Sequence, residues 1–249
     1  MSPLLLACIL LAASSAVVLA RMRFHSELKS DDLDFPRFTA AIASVTAATI
    51  LGLAEFGDDL LDPAAARIGL GENISDLLKG LYLLSACSFF AGQSANALIE
   101  SLPGDRTFDS RRCSLIASAV VAVAMVGLHR TSDARTTAID DNGALADPSG
   151  VAYLAVFWTA ILVTALLVTA AAAVGVRDHG IHGQLAGMAM AGAVGVVIAA
   201  YVLSLLVIDR SQLATWLGTW GQWWTVPGLI GITAAGLLGI PRRPALSLR

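Results

Sequence analysis

The chain has 249 residues, 56% hydrophobic and only 14% charged, where an ordinary soluble domain carries about 25% charged residues. That balance excludes a conventional water-soluble domain, and the net charge of −3 matters less than how charge divides between two faces. Cys8, Cys87 and Cys113, an odd number in or beside apolar stretches, argue against a disulfide framework and read as small packing residues.

Seven apolar stretches follow one another, at 3–20, 38–56, 77–99, 113–129, 151–174, 184–208 and 222–240. About 20 apolar residues in a helix cross the roughly 30 Å hydrocarbon layer, and nothing spanning lipid can leave its backbone unpaired. The expected fold is therefore all-α: a single polytopic seven-helix membrane domain filling residues 1–249.

The first stretch ends in small residues ahead of Arg21, as a signal-peptide cleavage site does. No positive charge precedes it, however, while Arg21, Arg23 and Lys29 follow it, so a retained helix is expected. The second stretch carries Glu55 near one end, and Lys79 opens the third at matching depth, which predicts a pair. A helix continuing past Gly57 would put Glu55, Asp58, Asp59 and Asp62 on one face, an oxygen-ligand stripe for a divalent cation. The plainer expectation is a solvated helix end, with no metal and no cofactor.

The third stretch closes in Gln93, Ser94, Asn96 and Glu100, expected to bond neighbouring helices or line an inner vestibule. Before the fifth, Asp147-Pro148-Ser149-Gly150 is a turn and helix-start signal. His179 and His182 share a loop with only Asp178 nearby, too little for a ligand set. In the sixth stretch Gly183, Gly187, Ala191, Gly195 and Ala199 recur every fourth residue, a ridge that lets two helix backbones approach closely. Gly231, Ala235 and Gly239 repeat the device in the seventh, and the two ridges are expected to meet within the bundle; a dimer contact and a hinge are the other readings. Trp216, Trp220, Trp223 and Trp224 crowd the connection between them, on a short helix at the bilayer interface. They form an aromatic belt or, functionally, a wall for a lipid or apolar ligand.

With the first loop inside, eleven of the sixteen Lys and Arg residues fall on the inner face, which selects N-terminus outside and C-terminus inside. No HExxH or phosphate-binding loop occurs, and Gly92-Gln93-Ser94-Ala95 lacks the second glycine of a rhomboid-type nucleophile element. The only lysines are Lys29 and Lys79, so no last-helix lysine exists to bind retinal.

Asn73-Ile74-Ser75-Asp76-Leu77-Leu78-Lys79, the run 152–167, the basic connector at Arg177 and the Gly-rich sixth stretch with Tyr201 together resemble an actinobacterial family of seven-helix membrane proteins. Members are usually labelled transporters, and the resemblance implies a bacterial plasma membrane location. Many carry a cytoplasmic domain after the seventh helix; where that domain is lacking, the resemblance implies either a separate partner that supplies it or a membrane module by itself.

The expected function is a non-enzymatic membrane module that binds an apolar ligand, lipid or protein partner and passes a shape change inward. Membrane lipids are its expected partners, nucleic acid is not, and an oligomer is compatible. One alternative is a small-solute or lipid transporter using Glu55, Lys79, Asn96 and Glu100; the other is a structural subunit of a larger membrane complex.

Overall fold

The computed structural model describes residues 14, 34–53, 56–71, 73–101, 109–133, 145–179 and 183–220, with backbone alone at 34–39, 111, 178, 179, 183 and 184. Among these residues every regular element is helical. They are α1 (Asp34–Leu51), a π-turn (Gly57–Leu61), α2 (Asp62–Arg67), α3 (Ile74–Glu100), α4 (Ser110–Thr131), α5 (Pro148–His179), α6 (Gly183–Ile208) and α7 (Arg210–Trp220). The apolar stretches 3–20 and 222–240 lie outside the described residues.

Aspartates set the helix starts. Asp109 accepts a hydrogen bond from the Arg112 N–H at 3.1 Å and opens α4. Asp147 takes the Ser149 and Gly150 N–H groups at 3.2 and 3.0 Å, just where Pro148 begins α5. Asp209 takes those of Ser211 and Gln212 at 3.1 and 3.0 Å and opens α7. A carboxylate there satisfies orphan donors and faces the positive end of the helix dipole.

The second stretch departs from expectation. Its helix spans Asp34–Leu51 rather than 38–56, and the Leu53 N–H already bonds the Ile50 carbonyl in a tightened last turn. Leu53 remains buried after the chain has left the helix, so apolarity here records burial and not helicity. Asp58 and Asp59 consequently sit exposed on the π-turn while Asp62 is buried at the start of α2. Asp58 and Asp59 thus stand on the π-turn and Asp62 on α2, and Glu55 lies outside the described residues.

Four helices, α3 to α6, are long and apolar enough to cross a membrane. Their outer faces carry large apolar side chains, among them Ile116, Val120 and Val123 on α4 and Val197 and Val207 on α6, each more than 60% exposed. Such faces are a liability in water and ordinary in hydrocarbon. The chain is a helical membrane protein.

The hub is α3, which packs against α1, α4 and α5; α5 in turn holds α4 and α6, and α7 rests on α6. The core runs through these contacts as Val45, Leu84, Met125, Phe157, Trp158 and Val202. The closest helix pair is α5–α6. A Cβ added to Gly192 would lie 3.0 Å from the Thr169 nitrogen and 3.1 Å from the Ala165 oxygen, and against Thr169 Oγ1. One added to Gly195 would lie 3.0 Å from Ala165 Cβ. Backbones this close gain dispersion contact, which must do in lipid what apolar desolvation does in water.

Candidate functional site

Polar side chains gather at the end of the bundle where α3 begins. Asp62, delivered by α2, accepts from the Ser75 N–H at 2.8 Å and from the Ser75 hydroxyl at 2.7 Å. The His129 ring nitrogen Nε2 lies 3.0 Å from the Asn73 carbonyl. A carbonyl only accepts, so Nε2 carries the proton and donates. Tyr153 packs edge-on against that imidazole at 5.9 Å, and its hydroxyl donates to the Asp76 carbonyl at 3.4 Å. Gly80 makes room for it, since a Cβ there would meet Tyr153 Oη at 3.0 Å and Met125 Cε at 2.8 Å. These contacts tie α2, α4 and α5 to the first turns of α3. Both Asp62 oxygens serve Ser75, and among the described residues no group of three His, Cys, Asp or Glu is placed to hold a metal ion. The cluster is a structural clamp.

A second feature lies deeper. A cleft of about 500 Å³ opens between α1, α3 and α4, its lining running along α3 from Leu81 to Gln93. That run is about 18 Å long at the helical rise. Its walls are mostly apolar, with Ala41, Leu84, Phe89, Leu115 and Ala122 among them, and among the described residues no charged side chain lines it. Two hydrogen bonds fix α4 beside it: Ser114 Oγ donates to the Ser88 carbonyl at 2.7 Å and Ser110 Oγ to the Gly92 carbonyl at 3.3 Å. Ser88 itself is 8% exposed, lines the cleft, and has a hydroxyl with no hydrogen-bond partner. The volume falls within the roughly 300–1,000 Å³ typical of small-molecule sites.

The residues singled out in the sequence fall elsewhere. Trp216 turns into the core, its ring 6.4 Å from Trp158 and 6.0 Å from Tyr201, whereas Trp220 is exposed. Lys79 reaches along Gly52, with Nζ 3.3 Å from where a Cβ would stand. Asn96 donates to Glu100 at 2.7 Å at the far end of α3. Lys79 and Glu100 are thus about 32 Å apart along one helix. Gly187 and Ala199 are buried and Ala191 and Gly195 half-buried in α6, whose ridge meets α5. Glu55, His182, Trp223, Trp224, Gly231, Ala235 and Gly239 lie outside the described residues, and Gly183 and His179 are described by their backbone alone. Ser94 is buried at one end of α3, while His129 bonds Asn73 at the other, about 30 Å away, so this histidine cannot activate that serine.

The cleft was not read from the sequence. Its signal is the run Ser85, Ser88, Gly92 at spacings of three and four on α3, facing Ser114 and Ser118 at i, i+4 on α4. Small and hydroxylated residues in register on consecutive spans mark a helix pair with room beside it. No protein-family model matches the chain, and no curated protein or solved structure matches it.

Proposed function

We propose that the protein is a non-enzymatic integral membrane module that binds an apolar ligand or lipid in the cleft of α1, α3 and α4 and relays its occupancy as a change in helix packing. The observation that carries this reading is the cleft itself: about 500 Å³ lined, among the described residues, by uncharged side chains and bounded by a helix pair held in register by Ser110 and Ser114. In this reading the chain crosses a bacterial plasma membrane seven times, N-terminus outside and C-terminus inside, as the basic residues favour. The resemblance to the actinobacterial seven-helix family fits the same layout. The relay runs through α3, which touches α1, α4 and α5, so that wedging α1 from α4 bears directly on the hub.

Transport is the weaker alternative. Its polar residues Lys79, Asn96 and Glu100 stand at opposite ends of α3, and the cleft between those levels is apolar. Native mass spectrometry of the full chain, extracted from its own membrane into nanodiscs, separates the readings. A single neutral adduct, lost when Ala119→Trp fills the cleft mouth, supports ligand binding. Solute flux in proteoliposomes that Lys79→Gln abolishes and Ala119→Trp leaves intact supports transport instead.

A further inference from the structure

We infer that the connector between α1 and α3 is a membrane-surface anchor. Phe56, Leu60, Ile68 and Leu70 enter the boundary between lipid headgroups and acyl chains, while Asp58 and Asp59 stay in water. The inference rests on the chain being a membrane protein and is independent of what the cleft holds.

The connector exposes much apolar surface for its length. Leu60 is 65% exposed, Ile68 74% and Leu70 50%. Phe56, Leu60, Ala64 and Ile68 recur every fourth residue through the π-turn and α2, and all four are exposed. That spacing keeps them along one side of the coil, with Asp58 and Asp59 falling off the row. In water such a row is a liability. At the same end of the bundle α7 gives the contrast; there Arg210 Nη1 donates to the Leu145 carbonyl at 3.4 Å, just ahead of α5. The exposed residues of α7 include Ser211, Gln212, Thr215 and Thr219, while Leu213 and Leu217 turn inward.

Depth and position decide what covers the row. The 27 residues of α3 make a helix about 40 Å long, against about 30 Å of hydrocarbon. Centred in the bilayer, such a helix holds its first turn at headgroup level, within about 5 Å of the hydrocarbon. Asp62 bonds the Ser75 N–H and hydroxyl in that turn, and a Cβ on Gly57 would stand 3.2 Å from Ser75 Cβ. The π-turn and α2 are thus pinned at the boundary itself. They also stand at the rim of the bundle. Seven residues deeper, on the face of α3 that carries Ser75, Tyr82 is 42% exposed. Lipid therefore begins directly beneath the connector. An amphipathic segment held at that level buries its apolar side about 5–10 Å into the headgroup and acyl boundary.

The test uses the full chain in phosphatidylcholine nanodiscs, with a genetically encoded spin-labelled residue in place of Leu60 or Ile68. Val123, 73% exposed on α4, is the lipid reference site, and Asp59, exposed on the π-turn, is the water reference site. Oxygen concentrates in hydrocarbon and a polar nickel chelate stays in water, so the ratio of their collision rates with the label reports depth. The expected ratio favours oxygen at positions 60 and 68, as at 123, and reverses at 59. A ratio at 60 and 68 that favours nickel as it does at 59 overturns the inference, and the connector is then a solvated loop. Labels at 60 and 68 that neither reagent reaches overturn it too, and the row is then covered by protein. The unmodified chain gives a second reading that no label disturbs. A lipid-soluble aryl diazirine, photolysed in the same nanodiscs, should modify Leu60 and Ile68. A connector left unmodified while α4 is labelled overturns the anchor.

Discussion

Replacing Gly192 with alanine tests the α5–α6 contact. An ordinary carbon contact lies at 3.4–4 Å, and the new methyl would stand 3.0 Å from the Thr169 nitrogen and 3.1 Å from the Ala165 oxygen. Those are backbone atoms, and Thr169 Oγ1 is held by its bond to Ala165 at 2.8 Å, so no flexible side chain can absorb the clash. The helices must part by about 0.4 Å at this level, and a radial gap of that order forfeits up to a quarter of the dispersion well along the seam. Overpacking of this kind costs about 1–3 kcal/mol, while alanine in place of glycine returns up to about 1 kcal/mol of helix propensity. The net expectation is a loss of about 1–2 kcal/mol. Gly127 on α4 is the control: a Cβ there meets nothing within 4 Å, so Gly127→Ala is expected to gain up to about 1 kcal/mol. Reversible unfolding of the full chain in mixed micelles measures both. Thr169→Ala added to Gly192→Ala should recover only part of the loss, because the backbone contacts persist. Equal stability for Gly192→Ala and Gly127→Ala would refute the reasoning.

Ser114→Ala should destabilise the bundle by about 0.6–1.7 kcal/mol and Ser110→Ala by less, since their bonds to α3 are 2.7 and 3.3 Å long; the same unfolding assay ranks them. Asp62→Ala leaves the first turn of α3 without its carboxylate and should cost about 1–3 kcal/mol, with Asp62→Asn restoring part of it, read as the midpoint of thermal unfolding. At the start of α7, the Ser211 hydroxyl foremost and the Gln212 N–H hold the Asp209 carboxyl below the usual carboxylate range. A folded-state value below the unfolded one means this contribution is full at neutral pH and is lost only as pH falls through that depressed value. Trp216 fluorescence should therefore report α7 loosening in acid below the ordinary carboxylate range, and Asp209→Asn should remove that transition.

Much of the fold was legible because hydropathy reports the solvent a helix sees. The stretches 77–99, 113–129, 151–174 and 184–208 correspond to Ile74–Glu100, Ser110–Thr131, Pro148–His179 and Gly183–Ile208. The helices run longer because their first and last turns stand in polar surroundings, capped by residues such as Asp109 and Asp147. Hydropathy misled at Leu53 and Phe56, where apolar side chains continue after the backbone has turned. The site was less legible. Trp216 suggested an interface by type, yet α7 folds it onto Trp158, a contact between residues far apart in sequence. His129 and Asn73 are likewise 56 positions apart, and nothing local marks them as partners. Ser88 could be seen as polar, but whether a serine satisfies itself on its own helix depends on rotamer and neighbours and not on residue type.

The central claim is that the space between α1, α3 and α4 holds a particular molecule and not bulk lipid. Photocrosslinking in native membranes tests it most directly, with a benzophenone side chain at Ala119, which lines the cleft, or at Val120, which is 65% exposed on another face of α4. The account predicts one dominant adduct mass at position 119 and a spread of phospholipid masses at position 120. The same phospholipid spread at both positions would contradict it.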